Sequence, residues 1–204
     1  MTRTSSVAVR PWLGALVLLG LLNLAAYGLW RWRRDHRHDA VILEAAHRYG
    51  VPPELVKAVV WRESRFDEGA VGSKGELGLM QLMETAASEW ADSVHATSFI
   101  HEHVLNPATN TLAGTFYLGR LLRRYPQTDN PVVYALADYN AGRGNVLRWM
   151  KGAAVTNSSA FLQQMTFPGT RAYVQDILAK ARGYASRMDS EASPGGPRHD
   201  PKPR

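Results

Sequence analysis

The stretch Val51 to Gln81 reads VPPELVKAVVWRESRFDEGAVGSKGELGLMQ, and its central feature is an acid on an apolar stripe. At about 100° per residue, Leu55, Val56, Val59, Glu63 and Phe66 fall within an arc of about 100°, so Glu63 shares the face that a helix turns toward its core. Desolvation penalises an ionised carboxylate there and pushes its pKa upward. A carboxylic acid still protonated near neutrality can give its proton to a leaving group. The competing assignments are an ion pair with Arg62 or Arg65, or a side chain reaching out to solvent. Pro52 and Pro53 sit where a helix start tolerates proline. The segment Phe66 to Gly78, with four glycines, predicts a loop, followed by an apolar run from Leu79 to Met83 and a helix through Trp90.

Outward from this stretch the signals stay helical. Asp39 is placed to cap a helix that carries Ile42, Leu43, Ala46 and Tyr49 and stops at Gly50. Pro107 begins a long helix with Leu112, Phe116, Leu118, Leu121 and Leu122 on or beside its apolar face, ending near Tyr125-Pro126. Pro131 opens another, with Val132, Val133, Leu136 and Ala137, that runs to Tyr139-Asn140-Ala141-Gly142. Two short helices follow, Gly144 to Met150 and Ser158 to Met165, and a last one from Thr170 to Met188 carries Val174, Ile177, Leu178 and Ala181. Val94 to Val104 has no clear period, and its His101-Glu102-His103 reads as solvated loop because no third metal ligand stands at a recognisable spacing. With no run of strand period and no repeat, the predicted domain is all-α, helix packed on helix.

The ends of the chain differ from its middle. Trp12 to Trp30, WLGALVLLGLLNLAAYGLW, is free of charge. As a helix it is roughly 28 Å long, close to a hydrocarbon core, with Trp at both interfaces. It predicts a single transmembrane anchor, with a cleavable signal peptide ending at Ala26-Tyr27-Gly28 as the competitor. The chain then divides into a short segment 1–11, the anchor 12–30, a basic linker 31–39, the helical domain 40–188 and a tail 189–204 whose Pro, Gly and Ser content predicts disorder. The formal charge of +6 resides in the ends: residues 40–181 carry 13 basic and 13 acidic side chains. A nucleic-acid-binding face is thereby excluded from the domain, since it needs clustered Lys and Arg. The absence of cysteine excludes disulfides, thiolate metal sites, a thiol nucleophile and a lipid-modified N-terminal Cys. Arg31, Arg33, Arg34 and Arg37 follow the anchor and only Arg3 and Arg10 precede it, a balance that favours a cytoplasmic domain.

Five motifs in order resemble one family. Glu63-Ser64-Arg65-Phe66 and Gly75-Glu76-Leu77-Gly78-Leu79-Met80-Gln81 are similar to its E-S-x-F helix end and G-x-x-G-L-M-Q turn and helix start. Asn106-Pro107 through Asn110, Gly114 and Tyr117-Leu118 resemble its N-P-x-x-N-(x)3-G-x-x-Y-L helix. Ala137-Asp138-Tyr139-Asn140-Ala141-Gly142-Arg143-Gly144 matches A-x-Y-N-A-G-x-G, and Thr170-Arg171-Ala172-Tyr173-Val174 matches T-R-x-Y-V. The family is that of the bacterial lytic transglycosylases of the soluble-transglycosylase (SLT) type, relatives of goose-type lysozyme, and the resemblance covers about residues 40 to 185. Three departures stand out: Gly72 where the family commonly has Ser and Glu76 where it has Ala, no Pro shortly after Gln81, and Gly169 in place of an acid before Thr170.

The resemblance implies a lysozyme-like helical domain that cleaves peptidoglycan glycan strands between N-acetylmuramic acid and N-acetylglucosamine, with no cofactor or metal and Glu63 as the one catalytic acid. It places Ser64, Glu76, Met80, Gln81, Tyr139, Asn140 and Tyr173 against substrate. Each has a simpler reading beside it: Ser64 bonding back to a carbonyl, Met80, Phe66 and Tyr173 in the core, Gln81 on the surface, Tyr139 to Gly142 as a helix end with Asn140 or Gly142 at positive φ. Asn106 and Asn110 read as helix-start and packing residues. The implied location is the inner membrane with the domain periplasmic, or export if the N-terminal segment is cleaved; protein partners are not legible. The rival activities are a muramidase using Glu76 or Asp67 as second carboxylate, a catalytically silent peptidoglycan-binding module, and a cytoplasmic membrane-tethered protein.

Overall fold

The computed structural model describes residues 11–192, with side chains from 12 to 187. The chain forms two units, an N-terminal helix and a helical domain that begins at His38. Helix α1, Pro11–His36, is long and apolar enough to cross a membrane by length and composition. The segments 1–10 and 193–204, which include most of the tail expected to be disordered, lie outside the described residues.

The domain contains α2 (Asp39–Tyr49), α3 (Pro53–Ser64), α4 (Glu84–Ser93), α5 (Pro107–Leu122), α6 (Pro131–Ala141), α7 (Arg143–Trp149), α8 (Ser158–Gln164) and α9 (Pro168–Ala192). Helix α5 packs on α2, α4 and α6, and α9 packs on α3 and α6. Among the described residues the extended backbone amounts to two isolated antiparallel bridges, Val71 with Leu77 and Leu77 with Leu82. The architecture is all-α, as expected.

Several boundaries differ from those expected, each for a local reason. Asp39 is the first residue of α2 and not its cap; its carboxylate sits 2.6 Å from the buried Lys57 ammonium of α3. Leu43 points outward, and Ala45 joins Ile42 and Ala46 in the buried face. Gly50 ends α2 in the left-handed conformation at φ 64°, where glycine carries no Cβ penalty. Helix α5 stops at Leu122, and its buried face is built from small residues as well as Leu118 and Leu121: Ala113, Gly114, Thr115 and Gly119 let neighbours approach. Tyr125, beyond the helix, instead gives its hydroxyl to Asp138 at 2.6 Å, while the Arg124 guanidinium contacts the same carboxylate oxygen. His101-Glu102-His103 is not free loop but part of a 3-10 helix, His101–Leu105, whose His101 Nε2 lies 2.9 Å from the Leu82 carbonyl. A second 3-10 helix, Gly152–Val155, lacked any periodic signal. Helix α9 continues through Ala192, into the segment assigned to the tail.

Candidate active site

Helix α3 buries Leu55, Val56, Ala58, Val59 and Val60 and brings Glu63 to its last turn at the edge of the core. The helix is broken abruptly: Arg65 and Phe66 take φ of 54° and 65°, and Phe66 turns back under the helix end, 1% exposed. Such left-handed backbone is uncommon for a bulky side chain, and burial of the Phe66 ring holds it. Neither arginine pairs with Glu63. Arg62 meets Asp176 of α9 at 3.3 Å and lies over the Tyr173 ring, and Arg65 stacks 3.7 Å from the Trp61 ring centre.

Glu63 is held from α9 instead. The Tyr173 hydroxyl donates to Glu63 Oε1 at 2.5 Å. Burial pushes the carboxyl from 4.5 up to about 7; the Tyr173 hydrogen bond and the Arg62 charge pull it back, and the Glu76 charge adds to the rise. Burial and the neighbouring Glu63 in turn raise the Tyr173 and Tyr139 hydroxyls well above the usual tyrosine range, so both remain donors. With Oε1 occupied, Oε2 is the oxygen left to carry a transferable proton.

The facing wall is the loop from Ala70 to Met83, and one buried side chain shapes it. Asn110 of α5 accepts the Met80 N–H at 2.8 Å and donates to the carbonyls of Leu77 at 2.9 Å and Val104 at 2.8 Å. These bonds satisfy the Met80 N–H and the Val104 carbonyl and add to the bridge that pairs Leu77 with Leu82, so that Leu77, Leu79, Met80 and Leu82 can be buried. Gly78 is required at that contact: its φ is 73°, and a Cβ would stand 2.3 Å from Asn110 Nδ2. Gly114 has the same relation to Met80 Sδ, at 2.3 Å. The Ser64 hydroxyl ties the end of α3 to the loop through Leu79 O at 2.8 Å, and Tyr139 OH ties α6 to it through Met80 O at 2.8 Å.

Between these walls lies a cleft of about 480 Å³ lined by Glu63, Gly72, Ser73, Lys74, Glu76, Gln81, Met83, Tyr139 and Asn140. The half-buried Glu63 carboxyl in its lining, raised in pKa and flanked by Tyr173 and Tyr139, is suited to donating a proton to a bound oxygen and to taking one back. Residues 40–161 match the family model described as "Transglycosylase SLT domain". The chain belongs to that family.

Two relatives of this SLT-domain chain illustrate the match. It is 30% identical over 131 residues to the soluble lytic murein transglycosylase of Escherichia coli, covering 63% of this chain and 20% of that protein. It is 34% identical over 126 residues to the membrane-bound lytic murein transglycosylase C of Shigella sonnei, covering 57% and 34%. Among solved structures, an inactive Glu-to-Gln mutant of lytic transglycosylase Slt from Pseudomonas aeruginosa aligns with TM-score 0.69 and 27% identity, over 76% of this chain and 25% of that one. The 70 kDa soluble lytic transglycosylase from Escherichia coli aligns with TM-score 0.65 and 26% identity, over 73% and 24%. The chain thus spans between 20% and 34% of the length of these relatives.

Of the residues expected against substrate, the SLT cleft gathers Glu63, Glu76, Gln81, Tyr139 and Asn140. Three others are not among the residues that line it. Met80 is fully buried and reaches the site only through its carbonyl, Tyr173 is 2% exposed and acts on Glu63 from behind, and the Ser64 hydroxyl is spent on Leu79 and Val60 carbonyls. Burial of Met80 and Tyr173 matches their simpler reading as core residues, and the Ser64 bond to the Val60 carbonyl its simpler reading. Gln81, at φ 47°, lies in a turn and not at a helix start; α4 begins only at Glu84. Asn140 accepts from the Thr170 hydroxyl at 2.8 Å, joining α6 to the start of α9, and it is Gly142 that takes positive φ, at 79°. Asp67 is exposed and caps its own turn through the Gly69 N–H, away from the cleft lining. Ser73, Lys74 and Met83 line the cleft without having been expected there; they are loop residues with no periodicity or motif to mark them.

Proposed function

We propose that this chain is a membrane-anchored lytic transglycosylase that cleaves the β-1,4 bond between N-acetylmuramic acid and N-acetylglucosamine in peptidoglycan and leaves 1,6-anhydromuramic acid ends. The observation that carries the reading is Glu63, the half-buried carboxyl whose pKa is raised to about 7 at the base of an open cleft. Its proton passes to the glycosidic oxygen as the bond to C1 breaks. The C6 hydroxyl oxygen of the same muramoyl unit then bonds to C1, and its proton returns to Glu63. Protons and electrons balance without water, and the acid is regenerated, so one carboxyl suffices where a two-carboxylate glycosidase needs a pair. Tyr173 stabilises the ionised form between the two steps, and Tyr139, whose hydrogen is given to Met80 O, keeps its oxygen free to accept from a sugar hydroxyl. The names of the relatives support this class of reaction, as does the inactivity of the Glu-to-Gln mutant in one of them.

Helix α1 is read as an anchor in the inner membrane with the domain on the periplasmic side, because the glycan lies there and one relative is named membrane-bound. This location is proposed against the Arg balance around the helix. The decisive experiment incubates the full chain, in detergent, with purified peptidoglycan and identifies the muropeptides by mass spectrometry. Anhydromuropeptides as main products are expected. Reducing ends would establish a muramidase, and bound but uncut strands a silent binding module.

A further inference from the structure

Gly72 and Glu76, the two positions at which this cleft departs from the family pattern, are one structural event. A Cβ on Gly72 would stand 2.3 Å from Glu76 Oε2 and 2.8 Å from Gln81 Oε1. Both oxygens therefore crowd the same point over the Gly72 Cα, so the two side chains converge there, and any larger residue would displace them. Each side chain is fixed by its own loop. Glu76 Oε2 accepts the Lys74 N–H at 2.8 Å, and Gln81 Nε2 donates to the carbonyls of Ala70 at 3.1 Å and Gly78 at 3.0 Å. The amide cannot turn its donors toward Glu76 without losing both bonds, so it is the oxygen that faces this corner. Lys74 supplies Glu76 with a backbone amide but, among the described residues, no ion pair to Glu76 forms. The corner thus offers a carboxylate and an amide oxygen, both acceptors, both lining the cleft that holds Glu63.

We propose that this corner recognises a primary ammonium group carried by the substrate, with Glu76 as the specificity-determining residue; the proposal rests on the glycan-cleaving reading above. A sugar hydroxyl brings one donor and no charge, and an acetamido N–H likewise. An ammonium brings three donors and the complementary charge, so it can serve both oxygens at once through charge-assisted bonds. Two sources carry that chemistry: the free amine of an unacetylated glucosamine in the strand, and the side-chain amine of a diamino acid on an attached peptide.

Isothermal titration calorimetry on the full chain in detergent distinguishes them. One arm compares a glucosamine tetramer with its N-acetylated counterpart. The other compares a glycan fragment bearing a peptide with a free side-chain amine against the same fragment with that amine acetylated. In at least one arm the ammonium form is expected to bind about 5- to 10-fold more tightly, the scale of a partly solvated charge-assisted contact. The preference should weaken as salt is raised. Glu76→Gln keeps an oxygen for the Lys74 N–H but removes the charge, and Gly72→Ala drives both oxygens from their places; each should abolish the preference. No preference in either arm, or one that survives Glu76→Gln, overturns the proposal. Muropeptide analysis of the same preparations reports separately on cleavage, so a protein that binds ammonium but cuts nothing refutes the earlier reading and leaves this one standing.

Discussion

Replacing Glu63 by Gln removes a titratable group whose folded and unfolded pKa values are far apart, and the consequence for stability can be worked out. The folded value is about 7 against 4.5 for the free carboxyl. Between those values the folded state holds a proton that the unfolded state has released, so stability is fully present below pH 4.5 and is lost as pH rises to 7. At 1.36 kcal/mol per unit the loss is about 3 kcal/mol by pH 8, nearer 2 kcal/mol once the partial exposure of the side chain is allowed for. Gln is neutral throughout, and its carbonyl oxygen can still accept from Tyr173. Glu63→Gln should therefore melt within about a degree of wild type at pH 4 and about 4–10 °C higher at pH 8, read by circular dichroism of the helical domain. Turnover should fall by roughly 10²- to 10⁴-fold at every pH. A melting difference that is the same at both pH values would refute the pKa argument. A folded variant that cuts at near wild-type rate would remove Glu63 from the role of acid.

Tyr173→Phe deletes the bond that stabilises the Glu63 carboxylate, so the alkaline limb of the pH profile of kcat/KM should move upward by about one unit; an unmoved limb, or one displaced downward, contradicts the assigned hydrogen bond. Asn110→Ala leaves the Met80 N–H and the Val104 carbonyl without partners and removes one of the two bonds to the Leu77 carbonyl, and should cost about 3 kcal/mol in chemical denaturation. A loss under about 1 kcal/mol would mean that the loop does not depend on it. An alkaline phosphatase fusion after Ala40 should be active if the domain lies outside the cytoplasmic membrane, and a stable but inactive fusion would reverse the proposed orientation.

The parts of this fold legible in the sequence are those that repeat along one helix. The apolar stripe of α3 put Glu63 on the core-facing side, because a face is defined by residues three and four apart, while the choice between a desolvated acid and an ion pair rested on the motifs around it. The proline starts of α3, α5 and α6 were legible for the same reason: each acts on its own backbone. What orients the acid was not. Tyr173 reaches Glu63 across 110 positions, and Asn110 reaches Met80 and Leu77 across 30 and 33. No periodicity relates such pairs, and only the motif match put Tyr173 near the site. The run Leu79 to Met83 misled in a different way. Three of its apolar side chains are buried like those of a helix, but Gly78 and Gln81 at positive φ make it a turn, and its polar backbone is satisfied by turn and bridge bonds within the loop and by Asn110 of α5.

The balance at Glu63 explains why the site is built at the edge of the core and not inside it. A carboxyl that must give a proton and then hold a charge is best served by a pKa near the working pH, since a higher value strands the proton and a lower one releases it too early. Burial alone would overshoot. Here the rise from desolvation is checked by the Tyr173 hydroxyl and by the field of Arg62. Arg62 is kept from closing an ion pair by Asp176, which holds its guanidinium over Tyr173 at α9. Were Arg62 free to meet Glu63 directly, the paired carboxylate would ionise well below neutrality and the acid would be lost. Asp176 engages Arg62 from the same helix that supplies the tyrosine. Helix α9 thus sets both opposing influences on the acid, and its packing on α3 fixes them together.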